Sequence, residues 1–146
     1  NNVDFVEKFT FQKARLVINK GDDCVIFATG VTVEMAKQAC LELEYEQIKC
    51  RVFAIHSIKP IDIKRIVKES KLCECAVSVE EHQIYGGLGS AISEVLSQHQ
   101  PTPQEFVAVQ DTFGESGNPE ELLKKYGISV ENIKKKVKAV LKRKKN

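Results

Sequence analysis

The chain has 146 residues, of which 42% are hydrophobic and 29% are charged, and its formal net charge is +2. These values are ordinary for one globular domain, which we assign to residues 1–146. No apolar run approaches the ~18 residues needed to span a bilayer, which excludes a transmembrane helix. The first residues lack a secretion signal and an initiator methionine, so we expect a fragment or a processed product.

The five cysteines are odd in number and lack the spacing of a disulfide framework. Unpaired thiols are typical of a reducing compartment, so we expect a cytoplasmic protein. Structural zinc sites need four ligands, and the only close cysteine pair, Cys73 and Cys75, does not supply them. We therefore predict no metal site.

A basic segment lies near the end of the sequence, with eight lysines and arginines and no acid between Lys134 and Lys145. Apolar residues with helical spacing run through the same segment: Val130, Ile133, Val137, Val140 and Leu141. The lysines then occupy the other face of the helix, near a C-terminus where cations are favoured. Because aromatic stacking residues and recognition motifs are missing, we interpret residues 129–146 as a basic helical tail with a solvated face. We predict no nucleic-acid or membrane partner.

The hydrophobic pattern predicts strands and helices in alternation. Apolar, β-prone runs predict five strands, at residues 9–18, 24–30, 50–58, 74–80 and 105–111. Helical spacing and stop signals predict helices at residues 31–47, 63–70, 88–96 and 117–127, followed by the basic tail. Predicted N-caps are Thr32, Asp62 and Ser129. The Gly21–Asp22–Asp23 turn between the first two strands predicts a hairpin.

This order predicts an α/β fold with three α/β/α layers and a mostly parallel five-stranded sheet, whose first strand is antiparallel. Ligands of such folds collect beyond the carboxyl ends of the strands. Any site should therefore lie along the edge formed by four segments: Thr29–Gly30, His56–Ser57, Glu80–Gly89 and Asp111–Gly117.

A glycine loop on this edge, Gly86-Gly87-Leu88-Gly89-Ser90, precedes a predicted helix. Backbone N–H groups in such a loop can hold an anion. The loop does not match G-x-G-x-x-G, because the third glycine position holds Ile92, and no G-K-[ST] of a P-loop follows. Its glycines are equally explained by close backbone packing or positive φ, and the sequence favours this architectural interpretation.

Acidic and imidazole side chains on the same edge are candidates for acid–base chemistry. Glu80, Glu81 and His82 have the right functional groups, but no G-x-S-x-G nucleophile elbow accompanies them. His56 follows an apolar strand and is interpreted either as an anion contact or as a partly buried structural histidine, with the second slightly favoured.

Four segments together resemble the C-terminal domain of transketolase. They are IHSIKPID (55–62), VSVEEHQIYGGLGSAI (77–92), FGESGNPEELLKKYGI (113–128) and CVIFATGVTVEMA (24–36). The similarity extends in order from about Phe9 to Leu141. The form it resembles best is the transketolase of some prokaryotes whose later half is a separate polypeptide.

The resemblance implies a domain without catalytic or cofactor-binding residues of its own. In the complete homodimeric enzyme, thiamine diphosphate and Mg²⁺ are held by the pyrophosphate-binding and pyrimidine-binding domains, which would be the partners of this chain. This domain would support the dimer and flank the approach to the active site, in an enzyme that transfers two-carbon ketol units between sugar phosphates of the pentose phosphate pathway. The residues that would flank substrate are His56 and His82. The residues that would form the loop or an interface are Glu81, Ile84, Tyr85, Gly86, Gly87 and Gly89.

Other interpretations remain open. Deoxyxylulose-phosphate synthase and the beta subunit of 2-oxo acid dehydrogenases end in related domains. The synthases carry a phosphate-associated arginine where His56 stands, which argues against a phosphate contact here. A third possibility, from another class, is a free-standing α/β domain that binds a small ligand or anion through the glycine loop.

Overall fold

The computed structural model describes residues 12–83, 87–109 and 127–144. Five strands are present in these residues: β1 (Arg15–Asn19), β2 (Cys24–Ala28), β3 (Cys50–Ala54), β4 (Ala76–Gln83) and β5 (Gln104–Val109). Four helices accompany them: α1 (Thr32–Glu44), α2 (Ile63–Cys73), α3 (Leu88–His99) and α4 (Val130–Arg143). The helix predicted at 117–127 lies outside the described residues, apart from Gly127.

The strands form one sheet in the order β1-β3-β2-β4-β5. β1 runs antiparallel to β3, and the other neighbouring pairs are parallel. The predicted α/β fold with a five-stranded, mostly parallel sheet and an antiparallel first strand is thus confirmed. The parallel pairs bring the carboxyl ends of β2, β3 and β4 to the same edge of the sheet.

The predicted hairpin between the first two strands is wrong, because β3 lies between β1 and β2. The connection from β1 to β2 crosses the start of β3 and hydrogen-bonds to it. Lys20 and Asp23 donate their backbone N–H groups to the carbonyls of Cys50 and Lys49 at 2.8 and 2.9 Å. A Cβ on Gly21 would lie only 2.5 Å from the Cβ of Lys49, so the crossing is too close for a larger residue.

Alternate residues of the central strands enter two separate cores, as the period of a strand requires. Ile26, Val52 and Val77 face the layer formed by α1 and α4. Val25 and Phe27 face the layer formed by α2 and α3. Both faces of the sheet are therefore covered, which explains why its central strands are apolar throughout.

Helix α4 is held by ion pairs as well as by its buried face of Ile133, Val137 and Val140. Lys134 Nζ lies 3.0 Å from Glu42 Oε1 of α1, and Lys138 Nζ lies 2.6 Å from Glu46 Oε1. On β5, Glu105 pairs with Arg143 at 2.8 Å. The basic face is exposed at Lys135, Lys138, Lys142 and Arg143, as predicted, and several of its cations also pair with acids of the body.

All five cysteines are free and buried. Cys73 ends α2 and Cys75 precedes β4, so the two do not share a strand. Desolvation by burial raises the pKa of Cys40 and of Cys73 to about 12. Across residues 12–83, 87–109 and 127–144, no group of three or more His, Cys, Asp or Glu residues has an arrangement that could hold a metal ion. In the same part of the chain, no helix is long and apolar enough to cross a membrane.

Candidate functional site at the carboxyl edge of the sheet

An open cavity of about 390 Å³ lies where β2, β3 and β4 end. The described residues that line it are Thr29, Gly30, Ile55, His56, Ile58, Glu80 and Glu81. Three of the four segments that the sequence placed on this edge thus contribute to one cavity. The fourth, Asp111–Gly117, lies outside the described residues.

The side chain of Glu80 accepts hydrogen bonds from the N-terminus of α3. It is only 1% exposed. Its Oε1 accepts a hydrogen bond from the Leu88 N–H at 2.6 Å, and its Oε2 accepts one from the Gly89 N–H at 2.7 Å. A carboxylate at a helix N-terminus satisfies N–H groups that have no partner within the helix and is favoured by the helix dipole. The anion position that the glycine loop offers is therefore taken by a side chain of the same protein.

Gly89 is required by close packing and not by an unusual φ, because it is a helical residue of α3. A Cβ at this position would lie 2.6 Å from Cε2 of Phe106 and 2.9 Å from Oγ of Ser78. The Gln104 side-chain amide donates to the Gly89 carbonyl and to the Ser78 hydroxyl, both at 3.1 Å. Gly87 is the N-cap, with φ −101°. This close packing at Gly89 supports the architectural interpretation of the glycine loop.

Glu81 points to the opposite side of the sheet from Glu80, as successive strand residues do. Its carboxylate lies over Gly30, whose φ is +56° and whose Cβ, if present, would be 3.1 Å from Glu81 Oε1. That oxygen is buried and has no hydrogen-bond partner among the described residues. Gly30 is therefore needed both for the left-handed backbone and for the space that the carboxylate occupies.

The side chain of Thr32 links the turn after β2 to β4 through hydrogen bonds. Its side chain is fully buried, and Oγ1 accepts a hydrogen bond from the Thr29 N–H at 3.2 Å. Oγ1 also lies 3.1 Å from the carbonyl oxygen of Val79. The predicted N-cap position is off by one residue, since Val31 is the N-cap and Thr32 is the first helical residue. The hydroxyl nevertheless satisfies a backbone N–H of the turn.

His56 is exposed at the rim of the cavity, which corrects the prediction of a partly buried histidine. Desolvation, with a smaller contribution from the charge of Arg15, lowers the pKa of His56 below its ordinary value. The imidazole is therefore mostly neutral at neutral pH and is a poor partner for an anion.

The other predicted site residues are only partly described. His82 belongs to β4, but its side chain lies outside the described residues. Ile84, Tyr85 and Gly86 also lie outside them. Of the predicted set, the structure therefore brings His56 and Glu81 together at one cavity. It places Gly87 at the N-cap of α3 and Gly89 in the first turn of that helix. Sequence reasoning missed the contact between Glu81 and Gly30, which nothing in the local pattern indicates.

Comparisons with known proteins agree on one family. Residues 12–133 match the family described as Transketolase, C-terminal domain. The chain is 35% identical over 138 residues to the 6-deoxy-6-sulfo-D-fructose transketolase subunit SqwH of Clostridium sp. (strain MSTE9), covering 94% of this chain and 42% of that protein. It is 37% identical over 134 residues to a transketolase C-terminal section of Methanocaldococcus jannaschii, covering 90% and 41%.

The fold also matches a solved structure described as a split gene transketolase, inactive beta4 tetramer. The TM-score is 0.89 at 38% sequence identity, and the match covers 95% of this chain and 45% of that one. The chain thus spans less than half the length of these relatives.

Proposed function

Because the chain belongs to the transketolase C-terminal domain family, we propose that it forms the C-terminal part of a transketolase and has no activity alone. The complete enzyme would transfer two-carbon ketol units between sugar phosphates. Thiamine diphosphate and Mg²⁺ would be held by pyrophosphate-binding and pyrimidine-binding domains, which this chain would meet in a homodimeric, cytoplasmic assembly. Relatives named as transketolase subunits or sections support this proposal, because the chain aligns with nearly half of each.

The observation that carries the proposal is the contact of Glu80 with α3. A diphosphate needs N–H donors, and the first turn of α3 is the natural place for them on this edge. Here two of those donors already bind the carboxylate of Glu80. The negative charge of that carboxylate also repels a second anion. The first turn of α3 therefore does not fit the diphosphate of thiamine diphosphate, and we propose a supporting role for it.

The same contact argues against a free-standing anion-binding domain. An anion at the glycine loop would have to displace a carboxylate that is nearly fully buried and hydrogen-bonded through both oxygens. His56, the nearest imidazole at the cavity, has a lowered pKa and offers little positive charge.

We propose that the carboxyl edge of the sheet is the surface that meets the rest of the enzyme. Two apolar side chains are exposed at the helix starts on this edge, Val31 at 58% and Ile63 at 44%. The cavity with His56 and Glu81 lies between the same strand ends. The predicted interface residues Glu81, Gly87 and Gly89 would border this surface, and His56 and His82 would flank the approach of substrate.

Calorimetry and reconstitution test this function. The 146-residue chain, titrated with thiamine diphosphate and Mg²⁺, should give no saturable heat. When it is combined with the pyrophosphate-binding and pyrimidine-binding domains that complete the enzyme, ketol transfer should appear only in the mixture. Micromolar, stoichiometric cofactor binding by the chain alone, worth about −8 kcal/mol, would contradict the proposal.

A further inference from the structure

The buried oxygen of Glu81 points to a ligand that this part of the chain does not supply. Buried polar atoms in proteins nearly always have a hydrogen-bond partner, because leaving one unpaired costs free energy. Glu81 Oε1 is buried at the carboxyl edge and has no such partner among the described residues. Glu80, by contrast, binds two N–H groups. Of these two adjacent carboxylates, only that of Glu81 therefore has a buried oxygen that still lacks a hydrogen-bond donor among the described residues.

The cavity around Glu81 suits a side chain with an apolar stem and a cationic end. Ile55 and Ile58 supply apolar walls, and the carboxylate of Glu81 supplies the acceptor. His56, at the same cavity, has a lowered pKa and does not place a full positive charge there at neutral pH. The volume of about 390 Å³ leaves room for a long side chain. Lysine and arginine both combine a methylene stem with several N–H donors.

The surroundings of the cavity favour a polypeptide over a free small molecule as the source of that side chain. Val31 is the N-cap of α1 and Ile63 is the first residue of α2, and both are exposed on the same edge. Exposed apolar residues beside a charged pocket are typical of protein interfaces, in which a buried anchor is surrounded by contacts that exclude water.

We propose that the cavity receives an arginine or lysine side chain of the polypeptide that completes the enzyme, with Glu81 as the acceptor of its N–H donors. This inference rests on the proposed function, because it assumes such a partner. Gly30 maintains the pocket, since any side chain there would push against the Glu81 carboxylate. The ion pair forms only on assembly, which makes Glu81 a positioning residue for the interface.

The first experiment uses a minimal probe on the whole 146-residue chain. Nα-acetyl-arginine-N-methylamide, followed by amide NMR shifts, should perturb Gly30, His56 and Glu81 saturably, with a dissociation constant on the order of 10 mM. The citrulline analogue has the same shape without the charge and should cause no saturable shift. Equal shifts from both probes, or no saturable shift from arginine, would overturn the proposal.

Variants make the test specific. Glu81→Gln should abolish the arginine-dependent shifts, whereas Glu94→Gln, an exposed glutamate on α3, should leave them unchanged. In the chain alone, Glu81→Gln should not lower the melting temperature, because the buried Oε1 of Glu81 has no hydrogen-bond partner among the described residues. A marked loss of stability would instead assign Glu81 to the internal structure of the domain and overturn the proposal.

The third arm separates this inference from the proposed function. Association of the chain with the cofactor-binding polypeptide should weaken by at least about tenfold in Glu81→Gln and remain unchanged in Glu94→Gln. If the parent associates and Glu81→Gln associates equally well, the pocket proposal fails and the proposed function stands. If the parent binds the arginine probe but never associates, the proposed function fails.

Discussion

Glu80 and Gly89 are joined by a 2.7 Å hydrogen bond from the backbone N–H of α3 to a buried carboxylate oxygen on β4. The second oxygen of the same carboxylate accepts from Leu88. A strand end and a helix start are thus connected by one side chain across the glycine loop. This relationship makes the loop a structural element of the fold.

Replacing Glu80 by alanine should destabilise the chain by about 2–4 kcal/mol, because two buried N–H groups lose their acceptor. Glu80→Gln keeps one acceptor oxygen and should cost less. Urea unfolding followed by circular dichroism measures both. The matched control is Glu94→Ala, since Glu94 is an exposed residue of α3. If Glu80→Ala has the same free energy of unfolding as the control, other groups must accept hydrogen bonds from the N–H groups at the start of α3.

Gly89→Ala should destabilise the chain by about 1–3 kcal/mol, because the new methyl group overlaps the ring of Phe106 and the hydroxyl of Ser78. Ser93→Ala lies on an exposed position of the same helix and should leave stability unchanged or slightly higher. Thermal melts of both variants decide the matter. If Gly89→Ala melts at the parent temperature, α3 packs on β5 loosely enough to admit the added methyl group.

The ion pair between Lys134 and Glu42 should contribute to the docking of α4, and its contribution should fall with salt. Hydrogen bonds from Gln38 and from Lys134 lower the pKa of Glu42 below its ordinary value. The contribution is therefore present above the unfolded pKa and is lost as the pH falls through the lowered one. A double-mutant cycle at low and high salt measures the coupling. Lys135→Ala, on an exposed position of α4, serves as the control. A coupling that does not respond to salt would contradict this account.

Cys40 and Cys73 should react very slowly with iodoacetamide in the folded protein. Both are buried, and desolvation raises the pKa of each to about 12, so the thiolate population at pH 8 is very small. Mass spectrometry after brief labelling should find neither modified, whereas labelling in guanidinium chloride should modify both. Rapid native labelling of either residue would mean that the core opens locally.

Features that depend on neighbouring residues could be predicted from the sequence. Asp62 caps α2 by accepting from the Arg65 N–H at 3.2 Å, and Ser129 caps α4 by accepting from the Asn132 N–H at 3.1 Å, as expected. In each case the acceptor and donor are three residues apart, so the pattern is local.

Features that depend on distant residues could not be predicted in this way. The position of β1 beside β3 is set by tertiary pairing, although the turn at Gly21 locally favours a hairpin. The contact between Gly30 and Glu81 joins two strand ends far apart in the sequence. The hydrophobic pattern predicts which segments form strands. It does not predict which strands become neighbours or which carboxylate accepts hydrogen bonds from the start of a helix.

The insertion of β3 between β1 and β2 has a consequence for synthesis on the ribosome. As the chain emerges, its first two strands have no partner in each other and cannot form a native hairpin early. β1 must wait until β3 has followed, and β2 then gains both of its neighbours only when β4 has also emerged. Such non-local pairing slows folding and leaves strand edges exposed for longer. We therefore expect nascent chains truncated before β3 to depend on chaperones, and those extended through β4 to be much less dependent.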